Sequence, residues 1–233
     1  MISLERMRVL KNCLIYDLSL GLTGYRSGLR LQEQLLDSRK RGDTPDVLIL
    51  LQHPSLFTVG RSGKMRNVTA SKDLLVNAEI PVFITNRGGD VTYHGPGQLV
   101  GYPVLHLRES GLTVREYVWN LEEVVIRILA DFGITGKRIP RLRGVWVKKE
   151  KICSLGLRIN GAVSMHGFAL NVNTDLSYFN YIIPCGISGV SITSLAKLTG
   201  HSIEMAGVVE KLLHHFREMF SFNLEYDERI SEC

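Results

Sequence analysis

The sequence predicts a single α+β (α/β) domain over residues 1–233, with an antiparallel-rich mixed sheet flanked by helices. Three observations lead there. The 233 residues lie in the range that one mixed domain fills, and they carry no internal repeat, low-complexity tract or linker. Four strand-like runs follow one another between Gly144 and Val172 with turn signals between them. The amphipathic helical stretches lie outside those runs, so helices and strands are grouped and do not alternate as βαβ units.

The elements follow in order. Thr23 is placed to cap a helix through Leu29, Leu31, Leu35 and Leu36 that ends near Gly42, and Val47-Leu48-Ile49-Leu50-Leu51 reads as a buried strand. The chain is therefore expected to open α then β. Val82-Phe83-Ile84 is a short strand that leads through a glycine-rich stretch to Leu99-Val100-Gly101-Tyr102, with Pro103 at its end, and the whole reads as a hairpin-like element. Thr113 and Glu116 form a capping-box pattern, after which Val114, Tyr117, Val118, Leu121, Val124, Val125, Ile128 and Phe132 fall on one helical face up to Gly133. Gly144 to Val147, Lys151 to Ile159, Ala162 to Ser164 and Phe168 to Val172 are expected as four strands, with turns at Lys149-Glu150 and Asn160-Gly161. A loop from Tyr181 to Ile187 and a last amphipathic helix from Ser202 to about Phe220 complete the reading.

Composition narrows the class. Hydrophobic content of 45% and charged content of 22% are ordinary for a soluble globular protein, and no apolar run approaches the roughly 18 residues of a membrane span. The first residues, Met1 to Val9, have neither an apolar h-region nor a small-residue cleavage site, which points to the cytoplasm. Cys13, Cys153, Cys185 and Cys233 lie far apart with no C-x-x-C pair, which argues against a zinc site and suits a reducing compartment. A formal charge of +5 is too mild to mark a nucleic-acid binder. Its distribution says more, because seven of the basic residues fall between Lys137 and Lys151 beside the single acid Glu150. That run reads as a solvated strand edge or as a docking patch for a negatively charged macromolecule.

The stretch Arg87-Gly88-Gly89-Asp90-Val91-Thr92-Tyr93-His94-Gly95-Pro96-Gly97-Gln98 crowds turn-forming glycines, a stiffening proline, a cation and an imidazole between two strand-like runs. It reads as one wall of a binding site, and on composition alone equally as a hairpin facing water. Cys185 stands between Pro184 and Gly186, where a loop presents a thiol without crowding it. A thiol needs a neighbouring cation or base to become an effective nucleophile, and a free cysteine is otherwise a small buried hydrophobe. Lys151 starts the apolar strand Ile152-Cys153-Ser154-Leu155-Gly156-Leu157. It either points inward, where it would share a proton with a thiol, or snorkels at the sheet edge. His53, His94 and His166 give no helical i, i+4 pair and no acidic cluster, so no metal site is expected.

Five blocks in order resemble the lipoyl(octanoyl) transferase family: Arg87 to Gln98, Gly144 to Val147, Lys151 to Ile159, His166 to Val172, and Pro184-Cys185-Gly186. The resemblance implies a fold like the catalytic domains of biotin and lipoate protein ligases. It implies transfer of an octanoyl or lipoyl group from acyl carrier protein to a lysine of a lipoyl domain, the first step of endogenous protein lipoylation. Cys185 would be the acyl-thioester nucleophile and Lys151 the group that lowers its pKa and acts as general acid and base. The acyl chain would lie against Arg87, Gly88, Gly89, Asp90, Val91, Thr92, Tyr93 and His94, against Ser154, Leu155 and Gly156, and against Gly167, Phe168 and Ala169. No ATP, metal or other cofactor is implied beyond the phosphopantetheine of the donor. The partners would be octanoyl-acyl carrier protein, lipoyl domains of 2-oxoacid dehydrogenase E2 subunits and the glycine cleavage H protein, with the enzyme a monomer away from nucleic acid and membrane. An ATP-dependent lipoate-protein ligase, or an amidotransferase moving octanoyl between lipoyl-domain proteins, are the alternatives.

Overall fold

The computed structural model describes residues 10–184 and 189–227. The chain enters on a strand, β1 (Lys11–Leu22), and not on a helix. Its buried residues, Cys13, Ile15, Tyr16 and Ser19, keep no clean period of two, which is why the strand is not visible as a pattern. Helix α1 (Tyr25–Arg41) follows and ends at Gly42, whose φ of 81° closes the last turn. Its N-cap is Gly24, because the backbone N–H of Thr23 is donated to the carbonyl of Gln52. Strand β2 (Asp46–Gln52) then lies parallel to β1, so β1, α1 and β2 form a βαβ unit and correct the expectation of grouped elements.

The main sheet runs in the order β12 (Phe222–Tyr226), β1, β2, β6 (Gln98–Val104), β10 (Val163–Asn171), β9 (Glu150–Asn160), β8 (Leu142–Val147) and β7 (Lys137–Ile139), with β11 (Ser191–Ile192) beside β9. The pairs from β2 to β7 are antiparallel, while β12, β1 and β2 run parallel and β11 runs parallel to β9. β2 shows how the sheet is buried: Leu48 and Leu50 face α3 (Val114–Asp131) and α5 (Met205–Phe220), while Val47, Ile49 and Leu51 face α1. A central strand covered on both faces reads as a continuous apolar run. α3 starts in the expected capping box, with Thr113 Oγ1 accepting from Glu116 N at 3.2 Å and Glu116 Oε2 accepting from Thr113 N at 2.8 Å. The short helices α2 (Lys72–Asn77) and α4 (Leu195–Thr199) sit in connections.

A second sheet of β4 (Val82–Ile84), β3 (Leu56–Val59) and β5 (Val91–His94) stands beside the first. β5 pairs with β3, whereas β6 lies in the main sheet between β2 and β10. The glycine-rich stretch therefore crosses from one sheet to the other and does not fold back as a hairpin. Two further expectations are corrected. The runs at 162–164 and 168–172 are one strand, β10, which pairs with β9 residue by residue through His166 at φ 58° and Gly167. The β8–β9 turn uses Lys148 and Lys149, with Lys148 in the left-handed region at φ 54°.

Candidate functional site

A cavity of about 470 Å³ opens where three segments distant in sequence meet: Arg87 to Thr92 with His94, Ser154 to Leu157, and His166 to Ala169. Backbone proximity builds it. Gly88 N donates to Leu157 O at 2.8 Å, which docks the glycine-rich wall on the far half of β9. At Gly167 a Cβ would lie 2.0 Å from the carbonyl oxygen of Gly101, so only glycine lets β10 approach β6 there. Tyr25, Tyr102, Val118, Leu142 and Trp146 complete the lining.

Lys151 is in the wall and 4% exposed, with Nζ 5.2 Å from the centre of the Trp146 ring. The inward reading of this side chain therefore holds over the edge reading. The cavity thus combines an apolar lining with one buried amine. Gly144, at φ 111°, makes the geometry possible, since a Cβ there would fall 2.3 Å from Cys153 O and 2.8 Å from Lys151 Cε. Glu122 on α3 fixes Gly144 by accepting its N–H at 2.9 Å and pairs with Arg138 at 3.2 Å.

Arg87 does not project into the cavity as an unattached cation. Its Nε donates to Thr58 Oγ1 at 3.0 Å, and its terminal nitrogens donate to the carbonyls of Thr58 at 2.7 Å, Gly88 at 3.0 Å and Asp90 at 2.7 Å. A buried guanidinium with several carbonyl acceptors holds a loop in shape. From Thr58 the hydrogen bonds continue: its hydroxyl faces His94 Nε2 at 3.4 Å, and His94 Nδ1 donates to Gln98 Oε1 at 2.8 Å. Gln98 Nε2 donates to Asn171 Oδ1 at 2.9 Å, and Asn171 Nδ2 donates to Thr193 O at 3.0 Å. Thr193 N closes the chain on Lys151 O at 2.9 Å. The glycine-rich wall and the strand carrying Lys151 are thereby one polar network.

The three histidines are neutral. Burial pulls His53 down to about 4 against a smaller upward pull from Thr23, and burial followed by the positive charges of Arg87 and Arg158 pulls His166 down to about 4. Burial, then His53 and Arg87, hold His94 well below the usual range. His53 Nδ1 donates to Thr23 O at 2.6 Å and its Nε2 accepts from Tyr102 OH at 2.8 Å. His166 Nε2 donates to Asn86 Oδ1 at 2.7 Å. They line or support the cavity floor as hydrogen-bonding walls. Among the described residues, the grouping of metal-type ligands is His214, His215 and Glu218 on α5, where His215 is bound to Asp131 at 2.9 Å and Glu218 to Arg127 at 3.2 Å.

Of the residues expected at the substrate, Arg87, Gly88, Gly89, Asp90, Val91, Thr92, His94, Ser154, Leu155, Gly156, Gly167, Phe168 and Ala169 all line this cavity. Tyr93 does not. Strand alternation turns its ring to the other side of β5, where it is 1% exposed, stacks on Tyr178 and touches Phe57 and Phe179. Burial also raises its hydroxyl to about 12. Cys185 and Cys233 lie outside the described residues. The chain on either side of Cys185 is anchored, with Ile183 N donating to Asn67 O at 2.7 Å and Ile192 in register with Lys151. Cys13 and Cys153 are closed off as nucleophiles, since burial drives both thiols up, in Cys153 against the opposing pull of Lys151. Sequence reasoning missed Tyr25, Tyr102, Trp146, Arg141 and Arg143 at the cavity. For the two arginines a signal exists in the basic run between Lys137 and Lys151, which marks them as charged without bringing them to the cavity.

The lipoyl protein ligase A/B catalytic domain model matches residues 24–217. A curated relative from Solibacter usitatus, named octanoyltransferase, is 49% identical over 92% of this chain and 96% of its own length. Another octanoyltransferase, from Alkaliphilus metalliredigens, is 43% identical over 88% of this chain and 95% of its own. Among solved structures, lipoate-protein ligase A bound with ATP superposes with a TM-score of 0.71 at 15% identity, covering 96% of this chain and 91% of that one. The putative lipoate protein ligase Ta0514 from T. acidophilum, with bound lipoic acid, gives a TM-score of 0.69 at 14% identity over 94% and 89%. Fold and sequence agree, and the chain belongs to the lipoyl protein ligase A/B catalytic domain family, in which it stands with the octanoyltransferases.

Proposed function

We propose that this octanoyltransferase moves the acyl chain from acyl carrier protein to a lipoyl-domain lysine through a thioester on Cys185. The observation that carries the reading is Lys151: an amine buried in the wall of an apolar cavity, with the chain that contains Cys185 returning to pair beside it at Ile192. In the first step the Cys185 thiolate attacks the octanoyl carbonyl, the bond to the pantetheine sulfur breaks, and that sulfur takes the proton held by Lys151. In the second, the ε-amine of the acceptor attacks the Cys185 thioester and gives its surplus proton to Lys151 as the bond to Cys185 sulfur breaks. The thiolate and the protonated lysine are restored. Exchange between thioesters is nearly balanced, and amide formation from a thioester is downhill, so no ATP enters.

The glycine-rich wall, Gly156, Gly167 and Ala169 line the space for the alkyl chain, and glycine at 156 and 167 keeps its walls close, since a Cβ there would meet Gly88 O at 3.0 Å and Gly101 O at 2.0 Å. The thiol chemistry suits the reducing cytoplasm expected from the scattered cysteines. Transfer of octanoyl from octanoyl-acyl carrier protein to a lipoyl domain in the absence of ATP is the expected result. Transfer only when ATP and free octanoate are supplied would replace this reading with a ligase, and transfer only from an octanoylated lipoyl-domain protein would replace it with an amidotransferase.

A further inference from the structure

The basic residues between Lys137 and Lys151 are not equivalent. Arg138 is committed to Glu122 at 3.2 Å, to Glu123 at 2.8 Å and to the Trp119 ring at 4.4 Å, and Lys151 is buried. Arg141 and Arg143 differ from these: both are exposed, both line the cavity, and neither has an ion-pair partner among the described residues. Arg141 is also held in a costly conformation. It follows Pro140 in the two-residue turn between β7 and β8, with Ile139 paired to Leu142, and its φ is 68°. A turn with proline first and a positive φ second favours glycine or asparagine at that second place. A long cation kept where turn chemistry calls for glycine marks a position shaped by what it binds.

We propose that Arg141 and Arg143 clamp the phosphate of the donor's pantetheine arm at the mouth of the cavity. Trp146 is the register partner of Lys151 on the neighbouring strand. Counting back from Trp146 along β8 and into the turn before it, Arg143 lies within about 10 Å and Arg141 within about 17 Å at the usual strand rise. An extended pantetheine arm of roughly a dozen bonds spans about 15 Å between its sulfur and its phosphate, by the spacing of an extended chain. A thioester beside Lys151 therefore places the phosphate at the two arginines. Two guanidinium forks suit a phosphate oxyanion. The proposal rests on the reading of a carrier-bound donor, and the chemistry it shares with a nucleotide phosphate is separated from it below.

The test compares octanoyl-4′-phosphopantetheine, octanoyl-pantetheine without the phosphate, and octanoyl-acyl carrier protein as donors for wild type, Arg141→Gly, Arg143→Gln and the double variant. Arg141→Gly is expected to melt at or above the wild-type temperature, because glycine accepts the positive φ. The double variant is expected to lose about ten- to a hundredfold in the ratio of kcat/KM for the phosphorylated over the unphosphorylated donor, the factor carried by a lost charge-assisted hydrogen bond. An unchanged ratio overturns the clamp, and so does a loss confined to octanoyl-acyl carrier protein, which would assign the arginines to the carrier's protein surface. If wild type uses none of the three donors and works only with ATP and octanoate, the carrier-bound reading itself fails and the clamp falls with it.

Discussion

His53, His94 and His166 stay neutral for a local reason: each is buried, and Arg87 stands near enough to His94 and His166 to oppose a second positive charge. The consequence for pH follows from linkage. A histidine whose folded pKa is about 4 against about 6.5 when unfolded takes up its proton in the unfolded chain first, so between those values stability rises with pH. Above pH 6.5 no penalty remains; below it each such group removes stability at up to about 1.4 kcal/mol per pH unit. Urea unfolding from pH 6.5 down to 4 should show this fall, and His53→Gln, which keeps a polar group beside Thr23 and Tyr102, should flatten the slope by up to that amount. An identical slope in the variant would contradict the neutral assignment. The amine in the cavity wall belongs to the same scale, since Lys151 lies over Trp146 only because Gly144 offers no side chain to meet its stem.

At the scale of elements, the glycine-rich wall is held less by its turns than by the relay from Arg87 through Thr58, His94, Gln98, Asn171 and Thr193 to the backbone of Lys151. Asn171→Leu removes both the acceptor for Gln98 and the donor to Thr193. It should cost about 1–3 kcal/mol in urea unfolding, the usual range for stranding a buried polar partner, and it should slow octanoyl transfer because wall and β9 lose their tie. Thr113→Ala removes an exposed cap on α3, should cost about 1 kcal/mol, and should leave transfer unchanged. Elements with strong local signals were readable from sequence. α3 has its capping box and apolar stripe, β2 its unbroken apolar run, and the β9–β10 connection turns at Gly161 after the Asn160 signal. β1, β7, β11 and β12 were not, because they are short or irregularly alternating and take their identity from the strands they pair with. The same holds for the crossing of residues 87–98 between two sheets, which only non-local pairing decides, and for Tyr93, whose side of β5 no composition reveals.

At the scale of the molecule, the cavity around Lys151 exists because segments near residues 90, 155 and 167 are brought together by the order β6, β10, β9 and by the docking of Gly88 on Leu157. The sequence blocks that carry the family resemblance are for the most part the blocks that line this space, which is why so much of the candidate site could be anticipated without knowing the topology. What local sequence did not reveal is which distant residues join these segments: Tyr25, Tyr102 and the rim of Arg141 and Arg143 come from α1, β6 and the β7–β8 turn with the start of β8, and their convergence is a property of the whole fold. The proposed mechanism requires a covalent intermediate at Cys185 served by Lys151, and intact-protein mass spectrometry tests it most directly. The protein is mixed with octanoyl-acyl carrier protein without ATP, as wild type, Cys185→Ser and Lys151→Met. A hydroxylamine-labile octanoyl adduct on wild type, absent from Cys185→Ser and formed far more slowly in Lys151→Met, is the predicted result; an adduct that persists in Cys185→Ser, or no adduct on wild type, would contradict it.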